Sequence, residues 1–408
     1  MKTPLFARIA DRARLLAVLL SLACLSLQAA DTDAANLASA NASFGFNLMK
    51  QVVGERSDAN VFISPYSVSA ALQMVWQGAA GETKNEMDQA LALGGFKMEA
   101  AGGAYKDLDR AIKSAGTNAV LSVANSIWYA PNIELKPQFA SINQSFYGAK
   151  LSALDFTDPR SAGVVNSWVN EATRGKIQKI VEPPLSSMTG AFLANAIYFK
   201  GNWEHKFDND ATKEEPFHLR TGQQKRVAMM RQSRKFAYEE STTFQAVRLP
   251  YAGERLGMFV FLPATNSSPD KLLAELNGDA WREKIMPKFQ ESEGTVVMPR
   301  FKLEFRMDLI SALKSIGIHQ AFTHAADFSG ISPIELFVSG VEHASFVDVN
   351  EEGTEAAAAT GVTVKAMAVR RQMEPFQMIV DRPFFFLIED SATKCLLFMG
   401  VVNDPGSP

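Results

Sequence analysis

The chain has 408 residues, 47% of them apolar and 21% charged, which are the proportions of a globular protein and exclude a disordered or fibrous one. Lys plus Arg number 41 and Asp plus Glu 44, a net charge of −3, and so mildly acidic a chain lacks the clustered positive charge that nucleic-acid binding requires. Two cysteines, Cys24 and Cys395, exclude a disulfide-stapled scaffold and a cysteine-rich metal site.

The first segment reads as an address label. Lys2, Arg8, Arg12 and Arg14 precede the apolar run Leu15 to Leu27. That run is too short for a bilayer, which takes about 20 residues, but it suits a signal-peptide core. Ala29 and Ala30 supply small residues for cleavage, so residues 1–30 are expected to be removed, leaving 31–408 as one domain, secreted or periplasmic. The alternative is a lipid on Cys24, for which Leu22 and Ala23 speak and Ser21 does not. Cys395, between apolar neighbours, reads as a small core residue.

Further along, Ser64-Pro65 is a helix cap followed by a first-turn proline and predicts a helix to about Trp76, ended by Gly78. Thr83 to Glu86 has the spacing of a capping box for the next helix. Val164 to Thr173 is amphipathic and stops before Gly175, and Asp308 to Ile316 is followed by Gly317. Strands are expected at Leu121–Tyr129, Ala191–Phe199, Ala246–Leu249, Met258–Leu262, Val296–Phe305, Leu336–Val349, Phe384–Ile388 and Leu396–Val402. With no linker or repeat, and with strands concentrated in the second half, the pattern indicates an α+β fold of several mixed or antiparallel sheets with helices packed on them.

Enzyme signatures are missing. There is no Gly-x-Ser-x-Gly, no phosphate-binding glycine loop and no His-Glu-x-x-His, and His205, His218, His319, His324 and His343 have no partners at metal-ligand spacing. No catalytic activity, cofactor or metal is expected. A Ser/His/Asp triad is defined in space, and that point is left to the structure.

The unusual stretch is 351–369, from Glu351 to Val369, between the long strand ending at Val349 and the aromatic strand around Phe384. Taken with the strand period of two, one face is Thr354, Ala356, Ala358, Thr360, Val362 and Val364, uncharged throughout. The other is Glu355, Ala357, Ala359, Gly361, Thr363 and Lys365, with a charge at each end. Four alanines alone would favour a helical turn or a flexible linker. Gly353 and Gly361 as punctuation, and the Thr/Val alternation that follows, favour a latent strand thin enough to slide between two others.

At this segment the chain resembles the serpins. Glu351 to Ala359 (Glu351, Glu352, Gly353, Thr354, Glu355, Ala356, Ala357, Ala358, Ala359) is similar to the hinge of inhibitory members. Asn60 to Ser67 with Gly78 to Thr83, Asn195 to Trp203, Leu249 to Tyr251 through Leu262-Pro263, Ala326 to Gly330, and Arg382 to Phe384 with Leu397 to Gly400 resemble other family segments, in family order from about residue 40 onward. Ala344 after His343 departs from the usual Lys. The resemblance implies one body with three β-sheets, about nine helices and an exposed reactive loop at about 351–375. It implies a monomeric suicide inhibitor of extracellular serine proteases: the protease acylates itself on the loop, and the cut loop inserts into the central sheet. Seventeen residues from Glu351 lead to Met367, with Ala368 beyond the reactive bond, which suits elastase-, chymotrypsin- or subtilisin-like enzymes; Arg370 or Arg371 would redirect it to trypsin-like ones. Ser64, Asn195, Trp203, Arg300 and His343 fall at positions where the family controls sheet opening. The other member class it brings to mind is a non-inhibitory chaperone or carrier, which would carry bulky or charged hinge residues.

Overall fold

The computed structural model describes residues 32–114, 119–186, 190–354 and 374–406. Helix α1 covers 32–55 and buries Leu37, Phe44, Leu48 and Val52. Strand β1 (Val61–Ile63) leads into α2 (Pro65–Trp76), where Ser64 caps the helix by accepting the Ser67 N–H at 3.2 Å, as the Ser-Pro pair predicts. Every residue of α2 is buried, so this helix is the inner pillar of the molecule. Helices α3 (Gly81–Ala90) and α4 (Met98–Lys113), strand β2 (Ala119–Tyr129), α5 (Pro137–Tyr147), β3 (Lys150–Ala153) and α6 (Ser161–Ala172) follow. Then come β4 (Ala191–Asn202), β5 (Lys213–His218), β6 (Gln224–Glu240), β7 (Phe244–Pro250), β8 (Leu256–Pro263) and α7 (Pro269–Glu275). A π-helical segment (Ala280–Ile285) precedes β9 (Gln290–Pro299), β10 (Phe301–Asp308), α8 (Ile310–Ser315), β11 (Val338–Asn350), β12 (Gly353–Thr354), β13 (Phe376–Ile379), β14 (Phe384–Asp390) and β15 (Cys395–Val402).

The fold is the α+β, multi-sheet architecture that the sequence indicates, and among the described residues eight α-helices and the π segment make nine. One sheet has the order β10-β11-β12-β4-β2-β3. The other two expected sheets are joined into a nine-stranded assembly, β1-β15-β14-β8-β7-β6-β9-β13 with β5 on β6. The joint is the 17-residue β6, whose Gln224 to Met229 pair with β5 and whose last residues pair with β7.

Strands β4 and β11 are buried on both faces over most of their length; β4 accordingly runs apolar from Ala191 to Phe199 with Asn195 the one exception, whereas β11 also buries the polar His343 and Ser345. Toward α2 they pack Leu193, Ile197, Val341 and Val347 into the main core. Toward α6 they present Ala194, Ala196, Tyr198, Ala344 and Phe346 to Val165 and Val169.

Two local expectations are corrected. Thr83 to Glu86 is not a capping box: α3 begins at Gly81, Thr83 Oγ1 accepts the Asp327 N–H at 2.9 Å, and Glu86 accepts the N–H groups of His319 and Gln320, both at 2.7 Å. Tertiary donors outcompete the local ones. The single strand expected over Val296–Phe305 is two strands. Pro299 ends β9, Arg300 turns the chain from one sheet into the other, and β10 begins at Phe301. Cys395 is fully buried as expected, and burial pushes its thiol up to about 12.

Candidate functional site: the seam of the central sheet

Strands β4 and β11 run parallel and bond directly from Val338↔Ala191 to Phe346↔Tyr198. Above that point they diverge, and β12 fills the fork. Thr354 pairs antiparallel with Val349 on one side and Gly201 on the other, and Gly353 pairs with Asn350 and Asn202. The hinge expected to be exposed is thus already inside the sheet at Gly353 and Thr354, and buried from its first residue: Glu351 is 2% exposed and Thr354 0%.

The chain enters the fork through a built corner. Arg300 donates to Glu351 Oε1 from Nε at 2.6 Å and from Nη2 at 2.5 Å, and Thr212 Oγ1 donates to the same oxygen at 2.5 Å. Glu352 pairs with Lys206. Trp203 Nε1 donates to the Asn350 carbonyl at 2.9 Å, and the backbone N–H groups of Trp203 and Phe207 donate to the carbonyls of Glu352 and Glu351. Gly353 has φ +151°, and a Cβ there would lie 2.6 Å from the Asn202 Cα, so only glycine fits this crossing. The Thr354 hydroxyl meets the Tyr251 hydroxyl at 2.8 Å, under the Trp203 ring, which stacks on Tyr251 at 4.6 Å. Thr354 therefore enters the core with its one polar atom satisfied.

Lower on the inner face, Ser64, Asn195 and His343 meet in one hydrogen-bonded chain. Asn195 Oδ1 lies 2.7 Å from His343 Nδ1, and His343 Nε2 is 3.3 Å from the Ser64 N–H. Nε2 thus accepts, Nδ1 donates, and the ring is neutral. Burial lowers its pKa to about 3. Asn195 Nδ2 reaches Ser67 Oγ and Asn125 Oδ1, both at 2.6 Å. This is not a nucleophilic triad: Ser64 Oγ donates to the Leu397 carbonyl at 2.6 Å, and Ser64, Asn195 and His343 are all buried beyond reach of a substrate. What the cluster does is tie α2 to both sides of the seam.

Sequence reading missed Tyr251, Thr212, Lys206, Ser67 and Asn125, which have no signature apart from their partners. Glu355, Ala356, Ala357, Ala358, Ala359, Met367, Ala368, Arg370 and Arg371 lie outside the described residues, as do residues 1–30 with Cys24. Among the described residues no group of three or more His, Cys, Asp or Glu could hold a metal ion, and no helix is long and apolar enough to cross a membrane.

Residues 39–405 match the family model described as Serpin (serine protease inhibitor). The chain is a serpin. It is 37% identical to a leukocyte elastase inhibitor of Bos taurus over 383 residues, covering 90% of this chain and 99% of that one. It is also 37% identical to iripin-2 of Ixodes ricinus over 377 residues, with 91% and 94% covered. The thermophilic serpin tengpin in its native state superposes with a TM-score of 0.82 at 28% identity, covering 90% of this serpin and 94% of that chain. The six-stranded sheet with β12 between β4 and β11 is the serpin element on which the remaining questions turn.

Proposed function

We propose that this serpin is a suicide inhibitor of serine proteases, consumed one molecule at a time by trapping the acyl-enzyme. The observation that carries the reading is β12, two residues already hydrogen-bonded on both sides, so that further insertion extends an existing strand and needs no new nucleus. A target protease attacks the Met367–Ala368 bond as it would a substrate and is left esterified to Met367. The freed strand then runs down the seam between β4 and β11. Some 12 residues bonded on both sides at about 0.5–1.5 kcal/mol per net hydrogen bond give on the order of 10–20 kcal/mol. That is comparable with a protease domain's own stability of about 5–15 kcal/mol. At about 3.3 Å per residue over roughly 15 residues, the acylated serine is carried some 50 Å. The pull displaces it from the oxyanion hole and deacylation stalls.

Met367, long and apolar, fits elastase-, chymotrypsin- or subtilisin-like pockets, and leukocyte elastase inhibitors are among the relatives. The buried hinge supports inhibition over a carrier role, because Thr354 is small and fully accommodated. We also propose that residues 1–30 are a secretory signal and that the mature serpin acts outside the cytoplasm; a mass beginning near residue 30 or 31 in the exported fraction tests this, and an intact leader there would refute it.

Mixing the protein with elastase-, subtilisin- and trypsin-type proteases and separating the products under denaturing conditions tests the main reading. A covalent complex supports inhibition, and the released C-terminal peptide, beginning at Ala368, fixes the bond. Clean cleavage without a complex would replace it with the carrier reading.

A further inference from the structure

At the upper end of β2 lies a cavity of about 240 Å³ that takes no part in trapping a protease. It forms where the two sheets meet. Leu121 of β2 comes from the six-stranded sheet, and Leu256 of β8 and Leu397 of β15 come from the nine-stranded one. Ile112 and Lys113, the last turn of α4, form a further wall. The edge of β2 is open here because β3 pairs only with Ser126 to Tyr129, so no described strand lies against Ala119 to Asn125.

The lining is graded from apolar to charged. Ile112, Leu256 and Leu397 are buried and Leu121 is half-buried, whereas Lys113 and Arg174 are exposed. Among the described lining residues these two are the charged ones, and both are cations. Lys113 is committed to Asp109 at 2.8 Å. The Arg174 side chain has no hydrogen bond or ion pair among the described residues, so an apolar interior opens at an uncompensated guanidinium. Arg174 is also held in a strained backbone conformation. It follows the end of α6 at φ +55°, in the left-handed region, while the Gly175 N–H donates to the Asn170 carbonyl at 2.8 Å and closes the helix. Glycine is the usual residue at such a helix end, because it alone adopts that conformation freely. Strain kept under a side chain with no polar partner in the fold points to a partner outside it.

We propose that this cavity binds a small amphipathic anion, its carboxylate on Arg174 and its hydrocarbon tail against Ile112, Leu121, Leu256 and Leu397. The planar guanidinium offers a fork of donors that matches a carboxylate. The volume sets the length of the tail: at about 30 Å³ per water-sized group there is room for about eight such groups, the size of a medium-chain carboxylate. A neutral alcohol of the same length buries the same tail but leaves the guanidinium unpaired, and an alkylammonium meets two cations. The bound anion bridges the two sheets. Leu121 pairs with Phe199 of β4, the Leu256 carbonyl accepts the Tyr251 N–H at 2.9 Å, and the Leu397 carbonyl accepts the Ser64 hydroxyl at 2.6 Å. Occupancy therefore stabilises the fold as a whole, because the unfolded chain has no such cavity.

The test titrates the full-length protein with sodium octanoate, with octan-1-ol and octylammonium as probes of equal length. Octanoate is expected to raise the melting temperature saturably, by about 2 °C, and the other two probes to leave it in place. No saturable rise with octanoate overturns the site, and an equal rise with octan-1-ol overturns its anionic character. Arg174→Gly removes the guanidinium and relieves the backbone at once. It is expected to weaken octanoate binding in calorimetry by about tenfold or more, while the ligand-free melt stays at or above that of wild type. Binding unchanged in Arg174→Gly overturns the assignment of the carboxylate. Ala119→Phe, which enlarges another lining residue, is expected to abolish the octanoate shift by occupying the tail's place. A shift that persists in Ala119→Phe overturns the location. If Ala119→Phe lowers the ligand-free melt, Arg174→Gly, which adds no bulk, decides.

Discussion

The upper and lower ends of the β4–β11 seam are built differently. At the top the two strands are already apart, held so by a two-residue wedge whose polar atoms are met: Glu351 by Arg300 and Thr212, Thr354 by Tyr251, Asn350 by Trp203. Lower down they bond directly over small side chains, Ala194, Ala196 and Ala344, with the Ser64–His343–Asn195 chain fastened behind them. Near the foot, Ser339 Oγ donates to the Ala191 carbonyl at 2.8 Å, while the Glu342 side chain has no hydrogen bond or ion pair among the described residues. Under the proposed mechanism, the difference teaches where resistance to insertion lies: the strand has been started by Gly353 and Thr354, and advancing it requires parting the direct β4–β11 pairs.

Changes at the wedge should have the largest effect. Thr354→Arg puts a guanidinium where a hydroxyl meets Tyr251 in a fully buried site, and the unpaired charge drives the hinge out. Covalent complex with the target protease is expected to fall more than tenfold while cleavage continues; an unchanged yield would count against insertion. Next, Arg300→Ala leaves the Glu351 carboxylate buried at 2% exposure with Thr212 alone. A loss of about 2–4 kcal/mol is expected in denaturant unfolding of the uncut protein. A loss below about 0.5 kcal/mol would mean the corner does not hold the wedge.

At the fastening, Asn195→Ala removes the partner of both His343 and Asn125, and about 1–3 kcal/mol should disappear from the uncut form. The smallest effect is a pH dependence at the lower end. His343 has its folded pKa depressed to about 3, so its stabilisation is present above the ordinary value of 6.5 and is lost as pH falls from there toward 3. Glu342 has its folded pKa raised to about 7, so its stabilisation is present below the ordinary value of 4.5 and is lost as pH rises through 7. Between pH 7 and 5 the two oppose each other. Glu342→Gln removes one arm, and its melt should decline more steeply than wild type as pH falls through that window. Parallel curves would show that Glu342 does not titrate there.

Much of this was legible in the residues. Ser64-Pro65 specified its own helix start because cap and proline act within one turn, and the apolar run Ala191–Phe199 announced a strand because covering both faces leaves no polar side. Of the alternating segment 351–369, residues 351–354 are described, and there Gly353 and Thr354 form a strand paired on both sides. Other features were decided elsewhere. Thr83 and Glu86 have the capping spacing, yet Asp327, His319 and Gln320, more than 200 residues away, claim their oxygens. Arg300 faces Glu351 only because Pro299 breaks a strand in two and hands the chain from one sheet to the other.

Local sequence, then, determined the elements, because caps, turns and periodicity are written within a few neighbouring residues. The order of strands, the neutral His343 at the back of the seam and the depth to which the ribbon is already seated were decided by the tertiary structure, because each depends on groups distant in the chain coming within hydrogen-bond reach.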